Sequence, residues 1–171
     1  LLVARMVWPS GADFATASVP MMVREVPHIN EPAYDPVWAT CQELGVPVCF
    51  HSGASRGIQF PPYPGFSPRI NSAMEAITRP VSTVLVVANF LFSRILTRFP
   101  RLKVVFSETS LAWGAYELEL ADHQFERQRL HTEGYELLPS QLFKRQCYLV
   151  GWFDKTLPGF LAAHPGWAKD V

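Results

Sequence analysis

The sequence predicts an α/β fold of parallel strands with helices packed on the sheet. Apolar, β-prone segments alternate with segments of helical periodicity along the chain. The link from helix to strand at Leu44-Gly45-Val46 is short, as in βα repeats. Two of the strands also deliver an ionisable residue at their carboxyl ends, where α/β enzymes build their sites. These are His51, after Val46-Pro47-Val48-Cys49-Phe50, and Glu108, after Val104-Val105-Phe106-Ser107.

Residues 1–8 read as a buried strand, apolar apart from Arg5, which Pro9-Ser10-Gly11 ends. Residues 11–33 read as a long proline-containing loop, with His28 at the surface. Asp35 is placed to cap a helix that Pro36 opens; Val37, Trp38, Cys41 and Leu44 recur at helical spacing and Gly45 ends it. The strand 46–50 follows at once. Residues 52–72 read as a second long loop, because their prolines and glycines forbid a regular element. Its aromatic residues Phe60, Tyr63 and Phe66 argue against disorder, which leaves function as the reason for its length. A short helix covers 72–78, and Pro80 opens a long apolar helix ending near Phe99-Pro100. The third strand is 103–106. An amphipathic helix runs from Trp113 to about Arg129, with Glu117, Glu119 and Asp122 ahead of Arg127 and Arg129, in accord with the helix dipole. Pro139-Ser140 starts a short helix through Arg145. The fourth strand is 147–152, and a helical stretch covers 157–164.

At 171 residues the chain suits one domain with a sizeable core. Lysines and arginines number 15 and so do aspartates and glutamates, which removes any electrostatic reason to expect nucleic acid or an anionic membrane as partner. The cluster Arg94, Arg98, Arg101 and Lys103 reads as a solvated face near a helix end. The apolar run 81–92 is too short to span a bilayer and reads as a buried helix. Three cysteines, Cys41, Cys49 and Cys147, leave one over in any disulfide scheme and form no metal pattern. Reduced, buried thiols favour a cytoplasmic protein. The chain opens inside an apolar run and closes just after a helical stretch, so it reads as part of a longer protein, truncated at both ends.

His51 is the leading candidate for chemistry. An imidazole at a strand's carboxyl end is a common zinc ligand. The competing role is a core histidine satisfied by a backbone carbonyl, and spacing alone leaves the two even. The aromatic loop that follows favours function. Glu108 occupies the matching position on the next strand, where a carboxylate can ligate metal, orient a ligand or carry a proton; a carboxylate paired with arginine is the alternative. Trp113 could wall a pocket or pack in the core. Arg56 and Arg69 could clamp a substrate carboxylate bidentately or remain solvated. Asp154 lies past a strand end and is a weaker candidate. His123, His131 and His164 form no metal pair and are assigned to the surface. No G-x-G-x-x-G, phosphate loop or G-x-S-x-G elbow occurs.

Four segments together resemble the amidohydrolase-related family, in the branch that contains aminocarboxymuconate-semialdehyde decarboxylase. They are Tyr34-Asp35-Pro36-Val37-Trp38 leading to Gly45-Val46-Pro47-Val48-Cys49-Phe50-His51; Arg98-Phe99-Pro100-Arg101-Leu102-Lys103-Val104-Val105-Phe106-Ser107-Glu108; Trp113 with the helix reaching Asp122; and Pro139-Ser140-Gln141-Leu142-Phe143-Lys144-Arg145-Gln146 before a strand. The resemblance implies part of a TIM (β/α)₈ barrel, about strands four to seven, with His51 matching the family's fifth-strand metal histidine. It implies a divalent metal, usually zinc, serving hydrolysis or decarboxylation. Two departures are evident. The family's first-strand metal motif and its eighth-strand aspartate have no counterpart between Leu1 and Val171, and decarboxylating members carry a histidine where this chain has Glu108.

The resemblance thus implies a metal-dependent hydrolase or carboxy-lyase acting on a small carboxylated or aromatic substrate. His51 would hold the metal, Glu108 would be catalytic, and Arg56, Arg69 and Trp113 would bind substrate. The alternative is a non-catalytic fragment or degenerate barrel acting through protein association. An incomplete barrel exposes sheet edges, so a homo-oligomer is expected in either case.

Overall fold

A computed structural model describes residues 2–7, 13–18, 27–51, 63–151 and 153–163, the first two segments by backbone alone. Five strands form one sheet in chain order: β1 (Leu2–Val7), β2 (Asp13–Ser18), β3 (Val48–His51), β4 (Val104–Ser107) and β5 (Cys147–Leu149). The helices are α1 (Asp35–Leu44), α2 (Pro68–Phe92), α3 (Ile95–Arg98), α4 (Ala112–Arg127), α5 (Pro139–Gln146) and α6 (Leu157–Ala163). From β2 to β5 every neighbouring pair is parallel, as expected of strands separated by helices.

The amino-terminal end differs from the sequence expectation. Asp13–Ser18, read above as loop, is a strand antiparallel to β1, with Leu2 opposite Ser18 and Val7 opposite Asp13. Apart from Phe14 and Thr16 its residues are small or polar and carry little intrinsic strand signal. Pairing on both sides, to β1 and to β3, supplies what local propensity lacks.

The core lies on one face of the sheet. Alternation sends Val48 and Phe50 of β3, and Val104 and Phe106 of β4, to the same buried side. There Phe106 stacks on Phe50 at 5.9 Å and on Phe143 of α5 at 6.5 Å between ring centroids. Phe90 of α2 meets Phe50 at 5.2 Å and Trp38 of α1 at 6.0 Å. Helices α1, α2 and α5 therefore cover one face. The opposite face carries Cys49, His51, Val105 and Ser107, none of them buried.

Each helix boundary has a local cause. Gly45 ends α1 in the left-handed conformation (φ 66°), with no atom within 4 Å of where a Cβ would stand, so the backbone angle alone selects glycine there. Asp35 does not cap α1. It is the helix's first residue, and its Oδ2 accepts from Arg98 Nη1 at 2.6 Å. The expected break in α2 is absent: a single helix runs from Pro68 to Phe92 with Pro80 inside it. Ser67 Oγ accepts from Ile70 N at 3.4 Å and Pro68 sits at the first turn, so the start signal lies 12 residues before Pro80. Arg69 consequently belongs to the first turn of α2 and not to a loop. This helix is long and apolar enough to cross a membrane by length and composition, with mean hydropathy 1.3. Its Val86, Val87, Phe90 and Leu91 are nevertheless buried in the core, as the sequence expected. Ser93 and a left-handed Arg94 (φ 63°) then separate it from α3.

The basic cluster is partnered, not merely solvated. Arg94 donates to the Glu133 carbonyl and lies 4.6 Å over the Tyr135 ring, Arg98 pairs with Asp35, and Lys103 Nζ donates to the Arg145 carbonyl at 2.9 Å. Gln146, fully buried, donates to the Phe99 and Leu102 carbonyls at 2.9 and 3.2 Å and accepts from Arg145, tying α5 to the approach of β4. Asp122 of α4 accepts from Ser140 N at 2.9 Å at the start of α5. No disulfide joins Cys41, Cys49 or Cys147; Cys41 and Cys147 are buried as expected, Cys49 on the open face is only partly so, and desolvation pushes Cys41 and Cys49 above the ordinary thiol range.

Phe106 touches three other core rings, so Phe106→Ala is expected to cost about 3–5 kcal/mol in urea denaturation, while Leu44→Ala at an exposed site changes stability by less than about 0.5 kcal/mol. A raised pKa leaves less thiolate at pH 7. Native Cys41 and Cys49 should therefore react with iodoacetamide more slowly at that pH than in denaturant, and mass spectrometry reads both rates.

Candidate active site

The in-register pairing of β3 with β4 sets Val48 opposite Val104 and His51 opposite Ser107. His51 and Glu108 are thereby brought to the same end of adjacent strands. A straight continuation of β4 would point Glu108 to the helix-covered side with Phe106. Instead Glu108 adopts φ 56°, in the left-handed region, and its Oε2 stands 3.1 Å from His51 Nε2. The two side chains are 44% and 59% exposed, so water screens the pair and it adds only about 0–1 kcal/mol to stability. A left-handed non-glycine residue costs roughly 1–2 kcal/mol. The turn thus spends backbone energy on a contact that contributes little to folding, which is the pattern of a functional site.

The turn holds a second such residue, Ser110 (φ 65°), and between them Thr109 is fully buried. Thr109 Oγ1 donates to the Phe106 carbonyl at 3.3 Å. Trp113 Nε1 donates to the Thr109 carbonyl at 2.6 Å, and its ring packs against the core. The structure therefore gives Trp113 a place in the scaffold of the turn. Asp154, beyond β5, accepts from the Ser110 hydroxyl and lies 3.5 Å from Leu111 N. A shallow depression at this edge is lined by Gly151, Phe153, Asp154, Lys155 and Leu157.

Of the residues singled out in the sequence, the structure joins His51 to Glu108 and sets Trp113 beneath the same turn. Arg69 is exposed on α2, and Arg56 lies outside the described residues, as do Phe60 and His164. His123 and His131 are exposed; His28 is half-buried, with Nδ1 accepting from Asn30 N at 3.2 Å. The tie from Asp154 to Ser110 escaped the sequence reading. No sequence signal announces it: Ser107-Glu108-Thr109-Ser110 holds no glycine to mark a left-handed turn, and Asp154 lies 44 residues beyond Ser110.

The donors suit a divalent ion in part. Two ligands at ordinary zinc–nitrogen and zinc–oxygen lengths around a tetrahedral ion stand about 3.4 Å apart, close to the separation seen here. Among the described residues, however, no group of three or more histidines, cysteines, aspartates and glutamates could hold an ion. The pair thus supplies at most two of the three or four ligands required.

A family profile of the amidohydrolases matches residues 4–147. The chain belongs to the amidohydrolase family. No curated protein matches it in sequence. Among solved structures, this amidohydrolase chain is similar to an amidohydrolase from Mycobacterium avium subsp. paratuberculosis K-10, at 19% identity and TM-score 0.57, over 78% of this chain and 34% of that one. It is similar to 5-carboxyvanillate decarboxylase from Sphingomonas paucimobilis, at 16% identity and TM-score 0.53, over 88% and 44%. A third is dihydroxybenzoic acid decarboxylase from Polaromonas sp. JS666 with bound manganese and 2-nitroresorcinol, at 18% identity and TM-score 0.51, over 81% and 42%. At these identities the likeness shows the fold, and this amidohydrolase chain is an α/β partial barrel. It spans less than half the length of each of these structures.

If position 108 holds its strain for function, Glu108→Gly will keep or raise stability by up to about 1 kcal/mol, whereas Glu108→Val, β-branched at a positive φ, will lose at least about 1 kcal/mol. Urea midpoints of the two variants compare them directly.

Proposed function

We propose that the whole protein is a metal-dependent hydrolase or carboxy-lyase acting on a small carboxylated or aromatic substrate. The observation that carries this reading is the His51–Glu108 contact, 3.1 Å long, at the carboxyl ends of adjacent parallel strands in a chain of the amidohydrolase family. In this reading β3, β4 and β5 are the fifth, sixth and seventh strands of the barrel, and β2, which pairs parallel with β3, is the fourth. The site is then one sector of the barrel's upper rim.

His51 offers a ring nitrogen to a divalent ion, zinc or another such as manganese; the rest of the barrel supplies the other ligands. Such an ion, when bound, supplies Lewis-acid polarisation and a more acidic water. Glu108 accepts or returns a proton at its carboxylate and orients the imidazole by its contact with Nε2, which leaves Nδ1 for the ion. A carboxylate at this position suits proton transfer during hydrolysis as well as delivery of a proton to a carbon losing carbon dioxide. Arg69 and Arg56 bind a substrate carboxylate by bidentate hydrogen bonds, and Trp113 backs the pocket through the turn it supports. We further propose a cytoplasmic homo-oligomer, in line with cysteines that form no disulfide and with the half-exposed sheet face.

Metal analysis of the full-length protein tests the reading. His51→Ala should lower bound metal per chain, while Cys49→Ala, one residue away on the same strand, should not. Equal metal in His51→Ala and wild type would remove His51 from the ligand set. Against a panel of small aromatic carboxylates and their amides or esters, Glu108→Gln should reduce turnover about 10²–10⁴-fold with metal content retained.

A further inference from the structure

The turn from β4 into α4 holds Glu108 and Ser110 in left-handed conformations with no glycine to relieve either. Two of its ties are local: Thr109 to the Phe106 carbonyl, and Trp113 to the Thr109 carbonyl. A third comes from 43–44 residues away, where Asp154 Oδ1 meets both the Ser110 hydroxyl and the Leu111 amide. Leu111 directly precedes α4, so this carboxylate also faces the positive end of that helix's dipole. The fit is close. A Cβ on Gly151 would stand 3.1 Å from Asp154 Oδ2 and 3.1 Å from Leu111 Cδ1.

We infer that Asp154 is a positioning residue: by holding Ser110 and Leu111 it fixes the left-handed turn that aims Glu108 at His51. A local tie can stabilise a turn of either hand. A carboxylate anchored beyond β5 accepts from Ser110 and Leu111 together in the observed one. The inference rests on the reading of His51 and Glu108 as the working pair, and it gives the strand after α5 a part in that site. Its role is that of a fixed hydrogen-bond acceptor.

The test uses isotope-labelled full-length protein and nuclear magnetic resonance. In Asp154→Ala, the Cα shifts of Glu108 and Ser110 should leave left-handed values. The Overhauser cross-peak between the His51 ring and the Glu108 side chain should fall about fivefold as the turn opens. Asp154→Asn keeps an acceptor oxygen and should retain both signatures. Unchanged cross-peaks between Phe50 and Phe106 would confirm that the variants stay folded. Should Asp154→Ala fail to fold, Ser110→Ala removes only the hydroxyl donor and should weaken the same cross-peak. Wild-type shifts and cross-peak in the folded alanine variant would overturn the inference; so would equal loss in Asp154→Asn. No metal or substrate enters these measurements, so their failure is distinct from failure of the metal assignment.

Discussion

The register between β3 and β4 is the constraint on which the rest depends. Setting Val48 against Val104 does two things at once. It aligns Phe50 with Phe106 on one face, where Phe90, Trp38 and Phe143 from three helices close over them. It also sets His51 level with Ser107, so that the next residue, Glu108, can reach the imidazole. A slip of one residue would turn every side chain of β3 to the other face, exposing Phe50 and burying His51. Core and site are therefore specified by the same pairing, and neither can be retuned without the other.

The sheet works asymmetrically. Its helix-covered face is hydrophobic and its rings are tightly associated; its other face is only half-buried and carries the polar groups. In a closed barrel that second face points inward, and its residues occupy the interior layers. The His51–Glu108 pair lies at the rim of this face, open to solvent yet fixed by a turn whose geometry is unfavourable in isolation. The energy that keeps Glu108 at a positive φ comes from buried Thr109, from the Trp113 indole and from Asp154, which are outside the pair itself.

Much of this was legible in the sequence because it follows from period and position. The strands around Val48 and Val104, the helix ended by Gly45, and the arrival of His51 and Glu108 at neighbouring strand ends follow from period and from the strand-end rule; the left-handed φ that turns Glu108 onto the imidazole does not. What escaped depended on partners remote in the chain. Asp35 looked like a cap, but Arg98, 63 residues on, takes its carboxylate. Pro80 looked like a helix start because proline favours the first turn. The apolar periodicity on both sides carries the helix through it at the loss of one backbone hydrogen bond. Asp13–Ser18 has too little β-branched or aromatic content to declare itself without its neighbours. Asp154 appeared to lie past the action, since nothing local shows that the segment after β5 folds back over Leu111.

Pro80 also divides α2 energetically. The buried residues of this helix begin at Ser82, and the half before Pro80 carries exposed Ile70 and Ile77 and buries none of its described side chains. That half is anchored by its Ser67 cap and by the helix ladder, which is interrupted at Pro80. It can unwind as a subglobal unit while the half on the sheet keeps its protection, with the proline as the fixed boundary between a slow-exchanging and a fast-exchanging segment. Arg69 lies in that half, so its position relative to the strand ends depends on the local helix and less on the packed core.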